Sequence, residues 1–159
     1  MPKIVSNTTP IISLLKIGKL SILKELYDEI YVPKEVFNEL ENGKAKEYYT
    51  DLSEINWINI KEIEDEKSLS YFLDLDKGEA DTIILANVIN AGLTIIDETL
   101  GRFHAKNANL KITGTLGVLL KAKESGYIGE IKPLLYQLKD KGIWLSDKLI
   151  NRVLNLADE

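Results

Sequence analysis

Apolar residues along this chain follow two alternating patterns: short continuous runs, and longer stretches with the three-to-four spacing of amphipathic helices. Residues 3–6 (KIVS) read as a first strand, and Thr9-Pro10 as the cap and first residue of a helix ending near Gly18. A second helical stretch over 20–27 leads to a short strand at 30–32. Pro33 opens a further helix, PKEVFNELEN, which Gly43 stops, and residues 44–52 look helical. WINIKEI, residues 57–63, alternates like a strand. A helix is expected near 68–73 and a stronger one over 78–90, ended by Gly92. LTII at 93–96 is a continuous apolar run, as a buried parallel strand carries. Helices follow at 100–107, 115–124 and 133–139, with a strand at 110–113 between the first two. IWL at 143–145 reads as a last strand, and Ser146 as the cap of a helix running to about residue 157.

Strands that alternate with helices imply an α/β fold, a parallel sheet with helices on both faces. The length of 159 residues fits one domain, 1–159. A chain of this size buries roughly 70% of its unfolded surface, enough for a core without staples. There is no cysteine, which excludes disulfides, thiolate metal sites and cysteine nucleophiles. No apolar run approaches the roughly 20 residues of a membrane span, and the first residues, MPKIVSNTTP, lack a signal-peptide core. A cytoplasmic protein with no membrane partner is expected.

The formal net charge is −5, from 25 acidic and 20 basic residues. Phosphate affinity rests on clustered Lys and Arg, so this is no general nucleic-acid binder by charge alone. Arg102 and Arg152 are the only arginines, which leaves lysine point charges for most phosphate contacts. Carboxylates, however, hold divalent cations.

Ligands of such sheets bind at the carboxyl ends of the strands. Three apolar strands end in polar groups here: Asn7-Thr8-Thr9 after KIVS, Asp97-Glu98-Thr99 after LTII, and Thr113-Gly114-Thr115 after LKIT. Thr9, Thr99 and Thr115 fit plain helix caps. Asp97 fits that role less well, because a cap need not follow so apolar a strand at that point. Glu39 lies beside Val36, Phe37 and Leu40, with Glu35 one turn earlier on the same face, where like charges repel. A bound cation or plain solvation would relieve this. Glu79, near Asp76 and Asp81, opens a long apolar helix, where acids also suit the helix dipole. P-loop, GxGxxG and GxSxG motifs are absent, and the single His104 cannot build a multi-histidine zinc site. What remains is oxygen-ligand chemistry, which suits Mg²⁺ or Mn²⁺.

VSNTTPIISLLKIGKLSILKELY, YVPKEVFNEL, LDKGEADTIILAN and TIIDETLGRFHAKNANLKITGTLGVLLKAK, in that order, resemble the PIN-domain family. The closest likeness is to its prokaryotic branch labelled domain of unknown function 3368. The resemblance implies a three-layer PIN-like fold and a metal-dependent ribonuclease acting on single-stranded RNA, often the toxin of a toxin–antitoxin pair. It implies Glu39, Glu79 and Asp97 as acids that hold Mg²⁺ or Mn²⁺, with Glu98 competing for the last place. Asn7 stands where the family usually has its first acid; an amide oxygen can ligate but adds no charge. Thr8, Thr113 and Thr115 would support the site, and Arg102, Lys106 and His104 would contact RNA phosphates. A small antitoxin and a second copy of the chain are the expected protein partners. The rival expectation is a catalytically weak PIN-like binding module, with Leu14, Leu15, Leu23 and Leu26 supplying either an interface or core.

Overall fold

The computed structural model describes residues 2–64 and 73–159. Among these, β1 (Ile4–Ser6), β2 (Ile30–Pro33), β3 (Ile58–Lys61), β4 (Leu93–Ile95) and β5 (Ile112–Thr113) form one sheet in the order β3-β2-β1-β4-β5. Every pairing is parallel, with Val5 beside Tyr31 on one side of β1 and Thr94 on the other. The helices are α1 (Thr8–Lys16), α2 (Ile22–Tyr27), α3 (Lys34–Glu41), α4 (Lys77–Val88), α5 (Thr99–Asn107), α6 (Thr115–Glu124), α7 (Lys132–Asp140) and α8 (Asp147–Leu156).

Side chains alternate across the pleat, so each strand feeds both layers. Ile4, Ile30, Val32 and Ile95 point into the larger core, where α1, α2, α3, α6, α7 and α8 meet. Val5 points the other way, against Leu85 and Ala86 of α4, while Ile96 packs with Ile83 of α4 and Ala105 of α5. Burying each such aliphatic side chain is worth about 1.5–3 kcal/mol. The expected three-layer α/β architecture is therefore present. Helix α4 is buried almost all round, from Ala80 to Ala86, and this is why its sequence carries so few polar residues after the first turn.

Leu14 and Leu23 are fully buried core, and Leu15 and Leu26, partly buried, pack against the same core. Two expected elements are absent. Residues 44–52 form turns instead of a helix, and only Leu52–Glu54 makes a short 3₁₀ turn, with the Asp51 carboxylate accepting the Ser53 N–H at 2.9 Å. IWL at 143–145 is not a strand; its alternation is real, but among the described residues no neighbouring strand supplies a ladder. The helix expected near 68–73 falls largely outside the described residues. Ser146 does cap α8, its hydroxyl accepting the Leu149 N–H at 3.1 Å.

The chain builds the sheet outward from β1 through β2 to β3, then returns to place β4 on the other side of β1. The switch between β1 and β4 opens a crevice at the strands' carboxyl ends. There the Asn7 N–H still bonds the Ile95 carbonyl at 3.0 Å before the two chains part into α1 and α5.

Candidate functional site

Asn7 and the Asp97-Glu98 pair stand at that switch point because Asn7 directly follows β1 and Asp97 follows β4 after the single residue Ile96. Asn7 is buried, and its amide nitrogen donates to Glu98 Oε2 at 3.3 Å. Its carbonyl oxygen lies 3.3 Å from the Thr82 hydroxyl, but that hydroxyl has one proton and a better acceptor, the Gly78 carbonyl at 2.7 Å. Asn7 is thus primarily a donor to Glu98. Thr9, one residue into α1, also bonds Glu98 through its hydroxyl. Neither Thr9 nor Thr99 acts as a cap: Asn7 occupies the cap position of α1, Glu98 that of α5, and neither side chain caps its own helix.

Glu39 projects from α3 toward the same end of the sheet, where the Thr8 hydroxyl donates to its Oε2 at 2.5 Å. Helices α3 and α4 cross so closely that a Cβ on Gly78 would stand 2.2 Å from Glu39 Oε1. Glu79 lies in the first turn of α4, whose cap is Asp76, accepting the Glu79 N–H at 2.8 Å. The Glu79 carboxyl rests on α5, since a Cβ on Gly101 would meet its Oε2 at 3.1 Å. Asp97 accepts the Thr115 N–H at 2.7 Å and the Thr115 hydroxyl at 2.6 Å. It therefore caps α6 across the sheet from β4. Thr115 is the first residue of that helix and not its cap, and Gly114 leaves the room: a Cβ there would sit 2.6 Å from Asp97 Oδ1.

Electrostatics tie these acids together. Burial, a hydrogen bond to Asp76 and the charges of Asp76, Glu98 and Glu39 push the Glu79 carboxyl up to about 8. Burial raises Glu39 too, against its hydrogen bond from Thr8, with Asp76, Glu35 and Glu98 adding repulsion. Burial also raises Asp97, although both bonds from Thr115 and the nearby Arg102 favour its charged form. Among the described residues no lysine or arginine forms an ion pair with Glu39, Glu79 or Glu98. Glu35 points elsewhere, to Lys77 at 3.6 Å, so an ordinary ion pair relieves its repulsion from Glu39.

The supporting residues divide. Thr8 and Thr115 bond the acids directly. Thr113 lies at the end of β5, beside Gly117, and lines a groove shared with Asp97 and Arg102. Arg102 is anchored by a bond from Nη1 to the Ile96 carbonyl at 2.9 Å. Lys106 is exposed one turn further along α5, and His104 faces Asp74 at 2.9 Å rather than the acids. Sequence reasoning missed Gly78, Gly101 and Gly114, each of which makes room for one acid. A glycine inside an otherwise helical pattern was the available signal for the first two.

The donor set suits a hard dication: it is all oxygen, and burial and then mutual repulsion raise the proton affinity of its carboxylates, Arg102 offsetting this at Asp97 alone. It is not a finished cage. Among the described residues no three acids already stand as a ligand set. Glu39, Glu98 and Asp97 are each held by a threonine hydroxyl, and ligation would draw them from those bonds.

No curated protein in the comparison matches the chain. The family model DUF3368, described as a PIN domain, matches residues 3–159 and so spans all three acidic segments and the groove beside them. The chain belongs to the PIN-domain family, whose members are in general nucleases that typically use divalent metals.

Proposed function

We propose that this protein is a metal-dependent ribonuclease that hydrolyses phosphodiester bonds of single-stranded RNA. The observation that carries the reading is the cluster of acids at the β1–β4 crevice, where burial first, and then Asp76, Glu98 and Glu39, hold the Glu79 carboxyl up to about 8. Partly buried, crowded carboxylates such as Glu39, Glu79 and Glu98, none of them ion-paired among the described residues, cost stability at the ligand-binding end of a parallel sheet, and a bound cation converts that cost into affinity.

Glu39, Glu79 and Asp97 would hold Mg²⁺ or Mn²⁺, with Glu98 as a further carboxylate. When bound, the ion supplies Lewis acidity, making water a better nucleophile and neutralising charge on the phosphate. The chain's own residues do the positioning. Asn7 and Thr9 orient Glu98, Thr8 orients Glu39, and Thr115 orients Asp97. Arg102, anchored on Ile96, offers its remaining N–H donors to a substrate phosphate beside Asp97. The family pattern extends the proposal to a cytoplasmic toxin that pairs with itself and with a small antitoxin protein.

One observation favours the second reading, a catalytically weak binding module: Asn7 spends its amide on Glu98 and brings no charge. Purified protein incubated with single-stranded RNA separates the two. Cleavage is expected with Mn²⁺, abolition by EDTA, and a loss of about 100-fold or more in Asp97→Asn, the scale of removing one key electrostatic group. Asparagine keeps an oxygen for the Thr115 N–H, so the variant tests charge more than fold. Wild-type protein that neither binds millimolar Mn²⁺ nor cleaves RNA leaves the binding-module reading.

A further inference from the structure

Trp144 is 82% exposed, although both its neighbours are committed to the core: Leu145 is buried and Ile143 packs against the large cluster. With its two neighbours turned toward the core, the indole is left facing outward. The segment itself is fixed at both ends. Gly142, at φ +91, turns the chain out of α7, the Ile143 N–H bonds the Leu138 carbonyl at 2.9 Å, and Ser146 caps α8. The indole therefore stands on anchored backbone at the rim of a groove of about 510 Å³. Asp97 and Arg102 line the same groove, together with Thr9, Thr113 and Thr115.

We propose that this groove holds one nucleobase of the substrate, stacked on Trp144, with the adjoining phosphate on Arg102; the assignment rests on the ribonuclease reading above. Three observations choose a nucleobase over an apolar peptide. The groove is lined by Asp97, one of the acids proposed to hold the metal, so its occupant would lie beside the reacting phosphate. It mixes one large flat apolar surface with the Thr113 hydroxyl, the hydroxyls of Thr9 and Thr115 being spent on Glu98 and Asp97, and a cation stands where the backbone would pass. A chain of net charge −5 with two arginines gains little from phosphate attraction. Stacking supplies affinity that charge does not, and it is indifferent to which base is present. Binding should accordingly depend only weakly on salt.

Trp57 is the one other tryptophan, so Trp57→Phe leaves Trp144 as the sole reporter. This protein is titrated with a single-stranded eight-nucleotide oligoadenylate, in Mg²⁺ at early times and again in EDTA, following indole fluorescence and the oligonucleotide's anisotropy. Saturable quenching in either condition is expected, with none from an abasic oligomer of equal length. Trp144→Ala should weaken binding roughly tenfold, within the range for one base–aromatic stack, and Trp144→Phe should keep most of it. An oligonucleotide that binds and is cleaved without quenching overturns the stacking site and leaves the ribonuclease reading intact. Neither binding nor Mn²⁺-dependent cleavage overturns both. If Trp144→Ala leaves oligonucleotide affinity unchanged but converts a dimer to monomer in sedimentation, the groove belongs to a second copy and the proposal is wrong.

Discussion

Asn7 donates its amide to Glu98 from a buried position at the end of β1, a bond that an aspartate there could not make. The substitution of amide for acid lowers the charge of the crevice and also relieves repulsion at Glu98. These two effects respond oppositely to metal. In Asn7→Asp without metal, a donor becomes an anion facing Glu98, at a cost of about 1–3 kcal/mol for a lost buried partner and more if the new acid stays ionised. With Mn²⁺ the added charge becomes a ligand. The variant should therefore unfold at lower temperature than wild type in EDTA, yet gain more on adding Mn²⁺. Paired thermal melts check this; a lower melting point with an unchanged metal-induced gain would remove position 7 from the ligand set. Asp97 stood out in the sequence as an acid after an apolar strand, whereas Glu39 and Glu79 entered the candidate site through the family resemblance. Thr9 and Thr115 were misjudged as local caps, because Thr-Pro and Gly-Thr fit that pattern while their real acceptors lie 89 and 18 residues away.

The elements bring the acids together by close crossing, and glycine sets how close. Helix α4 meets α3 at Gly78, and α5 meets α4 at Gly101, so each crossing presses one helix against a carboxylate of the other. Alanine normally stabilises a helix over glycine by roughly 0.5–1 kcal/mol. In Gly78→Ala the new methyl would stand 2.2 Å from Glu39 Oε1, the mobile end of a flexible side chain, which can swing away. The fold should then keep its stability within about 1 kcal/mol while Glu39 leaves its position beside Thr8. Metal affinity and RNA cleavage are expected to fall together, by about 10-fold or more, as for residues that orient ligands. Gly114→Ala presses instead on Asp97 and Arg102, with the Ile96 carbonyl at 3.4 Å, and should lose stability as well. Calorimetric metal titration beside chemical denaturation separates the cases; unchanged metal binding in Gly78→Ala would detach Glu39 from the site. Most elements were readable from periodicity because each has a core face. The segment 44–52 failed because its helical composition lacks such a face beyond Leu52, and 143–145 failed because alternation describes one strand and cannot supply its partner.

Across the whole molecule, the doubly wound sheet places like charges at one switch point, and the result is a stability that runs against the usual pH trend. The groups involved are Glu79, Glu39 and Asp97, all with folded values raised above the unfolded ones. A raised carboxyl binds its proton more tightly in the folded state. Its stabilising contribution is complete below the unfolded value, 4.5 for the two glutamates and 3.8 for Asp97, and is lost as pH rises through the folded value, about 8 for Glu79. Glu159 acts oppositely: although burial disfavours its charge, the N–H groups of Ile131 and Lys132 together with Lys123 hold it down to about 2. Its contribution is present above about 4.5 and fails only in strong acid, so it does not disturb the interval between pH 5 and 8. Without metal, the melting temperature should therefore decline from pH 5 toward pH 8.5. A dication binds the ionised cluster and stabilises the fold by mass action, so Mn²⁺ should reverse the decline. Its effect should be small at pH 5, where Glu79 must first release a proton, and should grow with affinity rising up to tenfold per pH unit until about pH 8. Glu79→Gln should flatten both curves, because the amide neither titrates nor brings charge. Melting curves at half-unit pH intervals, with EDTA or Mn²⁺, test the set. A metal-induced shift that is the same at pH 5 and pH 8 in wild type would mean that the ion binds away from Glu79, and that the crowding of acids at the switch point is not what recruits it.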